Sequence, residues 1–493
     1  MTNKQKNIIP SSYFDVHGGF EKGVDAVVEE IAQVYLKDDI PWTVGYSGGK
    51  DSTTALQLVW LALQKLGTDQ THKPVYVIST DTLVENPIVA AWVGNSLKKM
   101  QTEAEIQGLP IISHRLTPEL PDSYWVNLIG RGYPAPRQKF RWCTERLKIR
   151  PANRFISSVV DKYGETLLIL GTRKSESTAR ARTMERHEKG RVAAKISPNA
   201  SLSNSFIYTP IEDWGNDDVW LFLLEKLNPW GQDNMELFSM YKGATEGGEC
   251  PLVVSSGTPS CGDSRFGCWV CTLVEKDKSM QAMIHNDEEK QWMSPLLKIR
   301  SEIDFRSMPE GADRHLRDYR RMNGRVQLFH GRPIPGPYKQ DFREHLLHRL
   351  LETQALVRKT GPSYVRDLSL IQLEEMEEIR RIWVVEKYEM EDSLPRIYEG
   401  AMGEKYPGRR LNDGAIFGDQ EMKLLRKLCG ENSNQYEMLR ELLSIESSHK
   451  LAMKRTGMFK SLQGAIERNF YTDESDAIER AREHQKNLIP LVE

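Results

Sequence analysis

Short apolar runs alternate with longer amphipathic stretches through roughly the first 230 residues of the chain. Four of these runs are predicted to be strands, at residues 42–46, 74–79, 110–114 and 166–171. Apolar residues at helical spacing follow the first run through Lys65 and recur around residues 89–100. Buried strands that alternate with amphipathic helices are typical of a parallel sheet covered by helices. The pattern therefore predicts an α/β fold for this part of the chain.

The pattern changes beyond about residue 290, where helical periodicity replaces the strand signals. Helices are predicted within residues 341–360, 368–390 and 413–449. A surface loop is predicted at 190–204, and residues 241–266, rich in Gly, Ser and Pro, are predicted to be an irregular insertion that needs a metal. The predicted domains are an α/β domain at 1–235, a cysteine-rich segment at 236–290 and a helical region at 291–493.

The composition is that of a globular chain, with 493 residues of which 39% are apolar. No stretch approaches the ~20 consecutive apolar residues that a membrane-spanning helix needs. Residues 1–10 are polar and lysine-bearing, without the apolar centre of a secretory signal. We therefore expect a cytoplasmic location and no contact with a membrane.

The formal net charge of -2 gives no global argument for nucleic-acid binding. Two segments are nevertheless basic: residues 298–367 hold 15 Lys and Arg against 9 Asp and Glu, and residues 173–195 hold 8 against 3. Such segments either bind polyanions or form the solvated face of a helix. The sequence leaves both interpretations open.

A glycine pair lies between the first predicted strand and the helix that follows it. Paired glycines let the backbone approach a phosphate closely, and successive amides with a helix N-terminus form an anion-binding site. Lys50 is expected to neutralise charge that develops on pyrophosphate, and Asp51 to help place Mg²⁺. The flanking serines are expected to donate hydrogen bonds to phosphate oxygens. The predicted phosphate loop consists of Ser47, Gly48, Gly49, Lys50, Asp51 and Ser52.

The six cysteines are unevenly distributed, since four of them fall between residues 250 and 271. In a cytosolic protein such clustering indicates metal or redox chemistry rather than disulfides. Cys268 and Cys271 form a CxxC pair, a spacing at which two thiolates bind one metal centre. Tetrathiolate sites hold either zinc or an iron–sulfur cluster, and the spacing does not decide between them.

The phosphate loop resembles the SGGxDS signature of the PP-loop superfamily, whose fold is that of the adenine nucleotide alpha hydrolases; it lacks the spacing of a Walker A motif. The resemblance implies that ATP is cleaved between its α and β phosphates, which adenylates a substrate and releases pyrophosphate. It also implies that Asp81 and Thr82, after the second strand, lie near the adenosine.

Three further segments, in the same order, resemble the phosphoadenylyl-sulfate reductase family over about residues 40–275. They are residues 139–144 with Lys148, residues 170–177 with Arg180, and residues 208–214 with 218–220. The second segment contains Gly171, Arg173 and Glu176, which the resemblance implies bind the nucleotide together with Arg180. Guanidinium groups at the carboxyl end of a strand suit phosphate or sulfate oxygens.

The resemblance implies three catalytic residues, which are Lys50, Asp51 and Arg173. The two tryptophans of the third segment, Trp214 and Trp220, are predicted to be packing residues rather than catalytic ones.

Two departures from the reductases change this picture. Their phosphate loop is generally degraded, whereas this one is intact, and they use a C-terminal cysteine that this chain lacks, since its last cysteine is Cys429. The combination resembles the DndC family of sulfurtransferases over nearly the whole chain. It implies ATP-dependent replacement of a non-bridging oxygen of the DNA backbone by sulfur. The implied partners are DNA, a cysteine desulfurase as sulfur donor, and the Dnd proteins DndD and DndE.

The resemblance also favours an iron–sulfur cluster, of the 4Fe-4S type, over zinc. In the iron–sulfur branch of the reductases the ligands fall at positions that match Cys143, Cys268 and Cys271. That branch has a cysteine pair at the first position, where this chain has one cysteine, so Cys261 or Cys250 must supply the fourth ligand. Three alternatives remain: a reductase of a small sulfate nucleotide, a zinc-stabilised nucleotide-sensing subunit, and a tRNA-thiolating enzyme.

Overall fold

The structure is a computed structural model, and it describes residues 12–245, 266–305, 311–409, 418–430, 433–449 and 456–487. The chain forms two compact units. The sheet unit comprises Met1–Pro118 and Trp142–Gln291, and the helical unit comprises Glu119–Arg141 and Trp292–Glu493. The predicted segment 236–290 therefore belongs to the sheet unit, and a stretch of about twenty residues that sequence reasoning assigned to the α/β domain belongs to the helical unit.

The sheet unit is built on six strands in the order β3-β2-β1-β4-β6-β5. All neighbours are parallel except β5, which is antiparallel to β6. The strands are β1 (Trp42–Gly45), β2 (Val75–Thr80), β3 (Ile111–Leu116), β4 (Thr166–Ile169), β5 (Ile196–Pro198) and β6 (Ser205–Tyr208). From β1 the chain proceeds outward through β2 to β3 and then crosses to β4 on the other side. This reversal opens a crevice at the carboxyl ends of β1 and β4, where ligands bind in open α/β sheets.

Nine α-helices belong to the described part of the sheet unit. They are α1 (Tyr13–Val16), α2 (Phe20–Leu36), α3 (Lys50–Leu66), α4 (Pro87–Gln107), α5 (Arg150–Tyr163), α6 (Thr178–Glu188), α7 (Asn216–Glu225), α8 (Asn234–Gly243) and α9 (Lys278–Asn286). Helix α3 is buried along most of its length, which fixes the phosphate loop at its N-terminus. A π-helical turn, Thr144–Ile149, leads into α5.

The helical unit contains eight α-helices in its described residues, with a small antiparallel pair of strands. They are α10 (Ser294–Ile303), α11 (Gln340–Thr360), α12 (Leu373–Arg381), α13 (Leu394–Met402), α14 (Asp419–Cys429), α15 (Ser433–His449), α16 (Met458–Asn469), α17 (Glu474–Asn487), β7 (Leu328–Phe329) and β8 (Arg332–Pro333). Two π-helical turns, Val126–Gly130 and Ile382–Glu386, belong to the same unit. None of the helices in the described ranges is long and apolar enough to span a membrane.

The α/β fold with a mostly parallel sheet is confirmed, and the first four predicted strands are present. The prediction of a continuous helix over 368–390 is wrong, because α12 ends at Arg381 and passes into a π turn. The prediction of a loop over 190–204 is also wrong, since β5 lies within it and pairs with β6. Trp214 and Trp220 are buried packing residues, as predicted. Most of the predicted insertion at 241–266 lies outside the described residues.

Candidate functional site

The phosphate loop is a tight turn that connects strand β1 to the N-terminus of α3. Gly48 has a φ of 73°, which glycine adopts without strain, and a Cβ at this position would lie 2.4 Å from Val93 Cγ2. Gly49 is the N-cap of α3 and provides no side-chain hydrogen bond to the first amides of the helix. Free amides at the positive end of a helix dipole form an anion-binding site.

Two serines close the loop on itself. The Ser47 amide donates to Ser52 Oγ at 3.2 Å, and the two serine hydroxyls are 3.1 Å apart. The Ser52 hydroxyl also lies 3.0 Å from the carbonyl oxygen of Gly49. These contacts fix the entry to the loop against the first turn of α3. Both serines line the cavity described below, as a phosphate-binding role requires.

Asp51 lies between two cations. Its Oδ1 accepts a hydrogen bond from Arg173 Nε at 2.8 Å, and its Oδ2 is 3.6 Å from Lys50 Nζ. Burial lowers the pKa of Lys50, an effect that the carboxylate of Asp51 partly offsets. The ammonium group is therefore an incompletely compensated charge that a phosphate would stabilise.

Arg173 lies behind the loop. Its side chain is 3% exposed, and it also donates to Ser175 Oγ at 2.8 Å and to the carbonyl oxygen of Trp214 at 3.3 Å. The residue is absent from the cavity lining, so in this geometry it orients Asp51. Gly171 allows this arrangement, because a Cβ there would lie 2.3 Å from the carbonyl oxygen of Asp51.

A cavity of about 320 Å³ opens in front of the loop. Its lining includes the phosphate loop, the carboxyl end of β2 and several charged side chains. The lining residues that bear on the chemistry are Ser47, Gly49, Lys50, Asp51, Ser52, Asp81, Glu85, Arg115, Lys148, Glu176, Tyr241 and Phe266. Polar groups converging on one concave surface are typical of a ligand site.

The residues after β2 form the middle of the cavity. Asp81 accepts the amide of Leu83 at 2.8 Å and forms an ion pair with Arg115 from β3. Leu83 has a φ of 64°, an unusual conformation for a leucine, and it marks a sharp turn. Thr82, which follows Asp81, is buried and lies 3.0 Å through its Oγ1 from a carboxylate oxygen of Glu85.

This turn also binds the CxxC segment. The Trp269 amide donates to the carbonyl oxygen of Val84 at 3.0 Å, and the Asn86 amide donates to that of Gly267 at 3.3 Å. Cys268 Sγ lies 3.3 Å from Thr82 Oγ1. The pairing brings a segment nearly two hundred residues away in sequence to the edge of the cavity.

Lys148 links the cavity to the thiols. It lies in the π-helical turn after Cys143, and its Nζ is 3.5 Å from Glu85 Oε1. Burial alone would lower the pKa of Lys148, but Cys268, once it ionises, and the Glu85 carboxylate outweigh burial. With a smaller contribution from Cys271, they raise the pKa to about 12.

Three cysteines of the described residues are neighbours at this end. Burial raises the pKa of the Cys143 thiol, and the charge of Cys271 raises it further. Burial, followed by the charge of Glu85, also raises the pKa of Cys268. Thiols held neutral in this way become good ligands only when a metal displaces their protons.

Among the described residues, no three Cys, His, Asp or Glu side chains are arranged to hold a metal ion, so the iron–sulfur cluster stays a prediction. Cys250 and Cys261, the two candidates for the fourth ligand, lie outside the described residues.

The phosphoadenosine phosphosulfate reductase domain matches residues 41–273 of the chain, the stretch that contains the loop, the cavity and the CxxC pair. Just under half of the chain is therefore similar to that reductase domain. The uncharacterized protein MJ0066 of Methanocaldococcus jannaschii is 29% identical over 200 residues, which are 40% of this chain and 34% of the relative. The chain thus spans about a third of the length of the curated relative it matches.

Two solved structures are distantly similar. The U34-tRNA thiolase NcsA of Methanococcus maripaludis, solved with its [4Fe-4S] cluster, is 16% identical at a TM-score of 0.29, covering 63% of this chain and 91% of that one. An FMN adenylyltransferase of Candida glabrata, in complex with FAD and pyrophosphate, is 12% identical at a TM-score of 0.26, covering 46% and 62%. These likenesses are too distant to bear on function.

The sheet unit brings most of the predicted site residues together. Those that line its cavity are Ser47, Gly49, Lys50, Asp51, Ser52, Asp81 and Glu176, while Gly48, Gly171 and Arg173 support the loop from behind. Arg180 lies outside the cavity lining and pairs with Glu176 at 3.2 Å on an exposed surface. Its role as a nucleotide ligand stays a prediction.

Sequence reasoning did not single out Glu85, Arg115 and Tyr241, which also line the cavity. The first two had a usable signal, because charged residues at or beyond the carboxyl end of a strand point to the ligand edge of a parallel sheet. Tyr241 had none, since an aromatic residue in an amphipathic helix usually belongs to the core.

Proposed function

We propose that this chain is a sulfurtransferase of the DndC type, which uses ATP to activate a phosphate of the DNA backbone and replaces one non-bridging oxygen with sulfur. One observation carries the proposal: a single cavity extends from the phosphate loop to Lys148 and Glu85, which adjoin Cys268. A phosphate loop in a cavity whose wall adjoins a cysteine suits an enzyme that joins nucleotide activation to sulfur chemistry.

The first step is adenylation of the backbone phosphate. A non-bridging oxygen of the phosphodiester attacks the α-phosphorus of ATP, the bond from that phosphorus to the β-bridging oxygen breaks, and pyrophosphate leaves. Lys50 and the amides at the start of α3 stabilise the charge that develops on pyrophosphate. Asp51, oriented by Arg173, is the candidate ligand for Mg²⁺.

The second step exchanges oxygen for sulfur. A sulfide-level nucleophile, released from a cysteine desulfurase by a thiol reductant, attacks the activated phosphorus with its electron pair. The bond to the adenylated oxygen breaks, and AMP leaves with that oxygen. Cys143, Cys268 and Cys271 would hold an iron–sulfur cluster, which when bound supplies a site for the incoming sulfur. Lys148 holds its positive charge at the cavity wall, where it can position an anion.

Helix α6 is the proposed contact with DNA. It has no buried residue, and its exposed face carries Arg182, Arg186 and the adjacent Lys189. In the other basic segment some arginines, among them Arg317 and Arg320, are instead buried in ion pairs. Contacts between the basic side chains of α6 and DNA phosphates would position a duplex without reading its sequence.

The proposal is tested by measuring phosphorothioate in the DNA of cells that carry the complete modification system. Lys50→Ala and Cys268→Ser should abolish sulfur incorporation, because they remove the pyrophosphate-binding charge and a thiol beside the cavity. Lys65→Ala, on the exposed end of the same helix, and Cys429→Ser are matched controls that should retain it. Undiminished modification with either site variant would refute the proposal.

A reductase-like enzyme acting on a small sulfate nucleotide is the second candidate, because the reductase domain itself matches that family. Incubation with adenylyl sulfate and a thiol reductant distinguishes the two. Sulfite release independent of DNA would favour this candidate, and its absence together with DNA sulfuration would favour the first.

A further inference from the structure

A tyrosine hydroxyl lies directly over the start of the phosphate loop helix. Tyr241, from α8, accepts the backbone N–H of Lys50 through its phenol oxygen at 3.3 Å. The same oxygen would lie 3.1 Å from a Cβ at Gly49. The phenol is therefore in contact with one of the amides that an anion at this loop would use.

Aromatic packing holds the phenol in this position. The ring lies edge-on to Trp220 at 5.2 Å and to Phe266 at 4.8 Å between centroids. Lys50 Nζ is 5.4 Å from the ring centroid. Because the ring is fixed on two sides and is 7% exposed, its hydroxyl has a defined place in the cavity wall.

The hydroxyl retains a proton that it can donate. Burial, and next the charge of Asp51, raise the pKa of Tyr241, so the phenol is neutral at physiological pH. Its oxygen accepts from the Lys50 amide, and none of the described residues accepts its own O–H within hydrogen-bond distance. A neutral donor that faces an anion-binding loop is suited to a phosphate oxygen.

We propose that Tyr241 is a positioning residue, whose hydroxyl donates a hydrogen bond to a β- or γ-phosphate oxygen of the nucleotide at the loop. The inference rests on the proposed ATP-dependent function and adds to it a phosphate ligand from outside the loop. The donor lies at the N-terminus of α3, next to Lys50, so it serves the phosphates that leave as pyrophosphate.

Equilibrium binding of ATP, pyrophosphate and AMP to the full chain and to Tyr241→Phe tests this inference. The substitution keeps the ring and removes only the hydroxyl. Loss of a hydrogen bond to a charged group should raise the dissociation constants of ATP and pyrophosphate by about 10- to 100-fold. The dissociation constant of AMP should be unchanged.

Tyr208→Phe is the matched control, because Tyr208 is a buried tyrosine of the same unit whose hydroxyl donates to Glu30 at 2.8 Å, outside the cavity lining. It should leave all three affinities unchanged. If the unaltered chain binds no ATP, the proposed function fails. If it binds ATP and Tyr241→Phe binds it equally, or loses ATP and AMP in equal measure, the inference about Tyr241 is overturned while the proposed function stands.

Discussion

Lys50 carries the most consequential charge in the cavity. Its burial disfavours the charged form of the side chain, whereas its proposed function requires that form. Burial lowers its pKa, and among the described residues the carboxylate of Asp51 is its ion-pair partner. A bound polyphosphate favours the charged form and therefore raises the pKa of Lys50. In the free protein, burial makes the charged form of Lys50 unfavourable, and a bound phosphate offsets that cost. The offset contributes to the affinity for the nucleotide.

A pH dependence of ATP affinity follows. Affinity should be full while Lys50 is protonated in the free protein and should fall as pH rises through its lowered pKa, below the ordinary 10.5. In Lys50→Arg the guanidinium stays charged, so this alkaline decline should disappear even if affinity at neutral pH is reduced. Calorimetric titrations between about pH 7 and 10 would measure it. Parallel declines in both proteins would assign the effect to another group.

Residue chemistry was the part of the site most accessible to sequence reasoning. The phosphate loop, Ser47 to Ser52, was recognisable from its composition. The pair formed by Cys268 and Cys271 was recognisable from its spacing. The place of Arg173 behind the loop was not predictable, because it depends on Gly171 passing within a van der Waals contact of Asp51. Sequence reasoning assigned this arginine to the ligand, and the geometry assigns it to Asp51.

Helix α11 contains two ion pairs that are expected to contribute differently to stability. Arg343 and Glu389 form a buried ion pair with both side chains 3% exposed, whereas Arg349 pairs with Glu302 on a partly exposed face. Removing one partner of a buried pair leaves the other charge without compensation. Exposed pairs contribute far less.

Arg343→Met should therefore destabilise the helical unit by about 3–5 kcal/mol. Arg349→Met, in the same helix, is the matched control and should cost at most about 1 kcal/mol. Urea unfolding of the full chain, followed by circular dichroism, would measure both. Equal shifts of the unfolding midpoint would contradict the assignment of Arg343 to a buried network.

Elements with an apolar signature were predictable, and those without it were not. Strands β1, β2 and β4 are buried apolar runs, whereas β5 is three residues long and α6 buries no residue, so neither β5 nor α6 leaves a hydrophobic pattern. The π turn after α12 shifts the helical register and interrupts a continuous periodicity. The pairing of Val84 with Trp269 depends on tertiary contact alone, which a local pattern does not encode.

At the scale of the molecule, the sheet unit contains the phosphate loop, the cavity and three of the described cysteines, Cys143, Cys268 and Cys271. Protein purified without oxygen should contain iron and acid-labile sulfide and show a brown visible absorbance. Ser substitutions at Cys143, Cys268 or Cys271 should remove them, and Cys429→Ser should not. Comparing Cys250→Ser with Cys261→Ser would identify the fourth ligand. Stoichiometric zinc without sulfide would contradict the iron–sulfur assignment.

The central claim is that the loop at Lys50 binds ATP for cleavage between its α and β phosphates. The most direct test is product analysis with ATP labelled at the α or the γ phosphate, supplied to the intact protein with DNA and a sulfur donor. We predict AMP and pyrophosphate, with turnover at least tenfold lower in Lys50→Ala. Formation of ADP and phosphate, or no consumption of ATP by the fully supplied protein, would contradict the account.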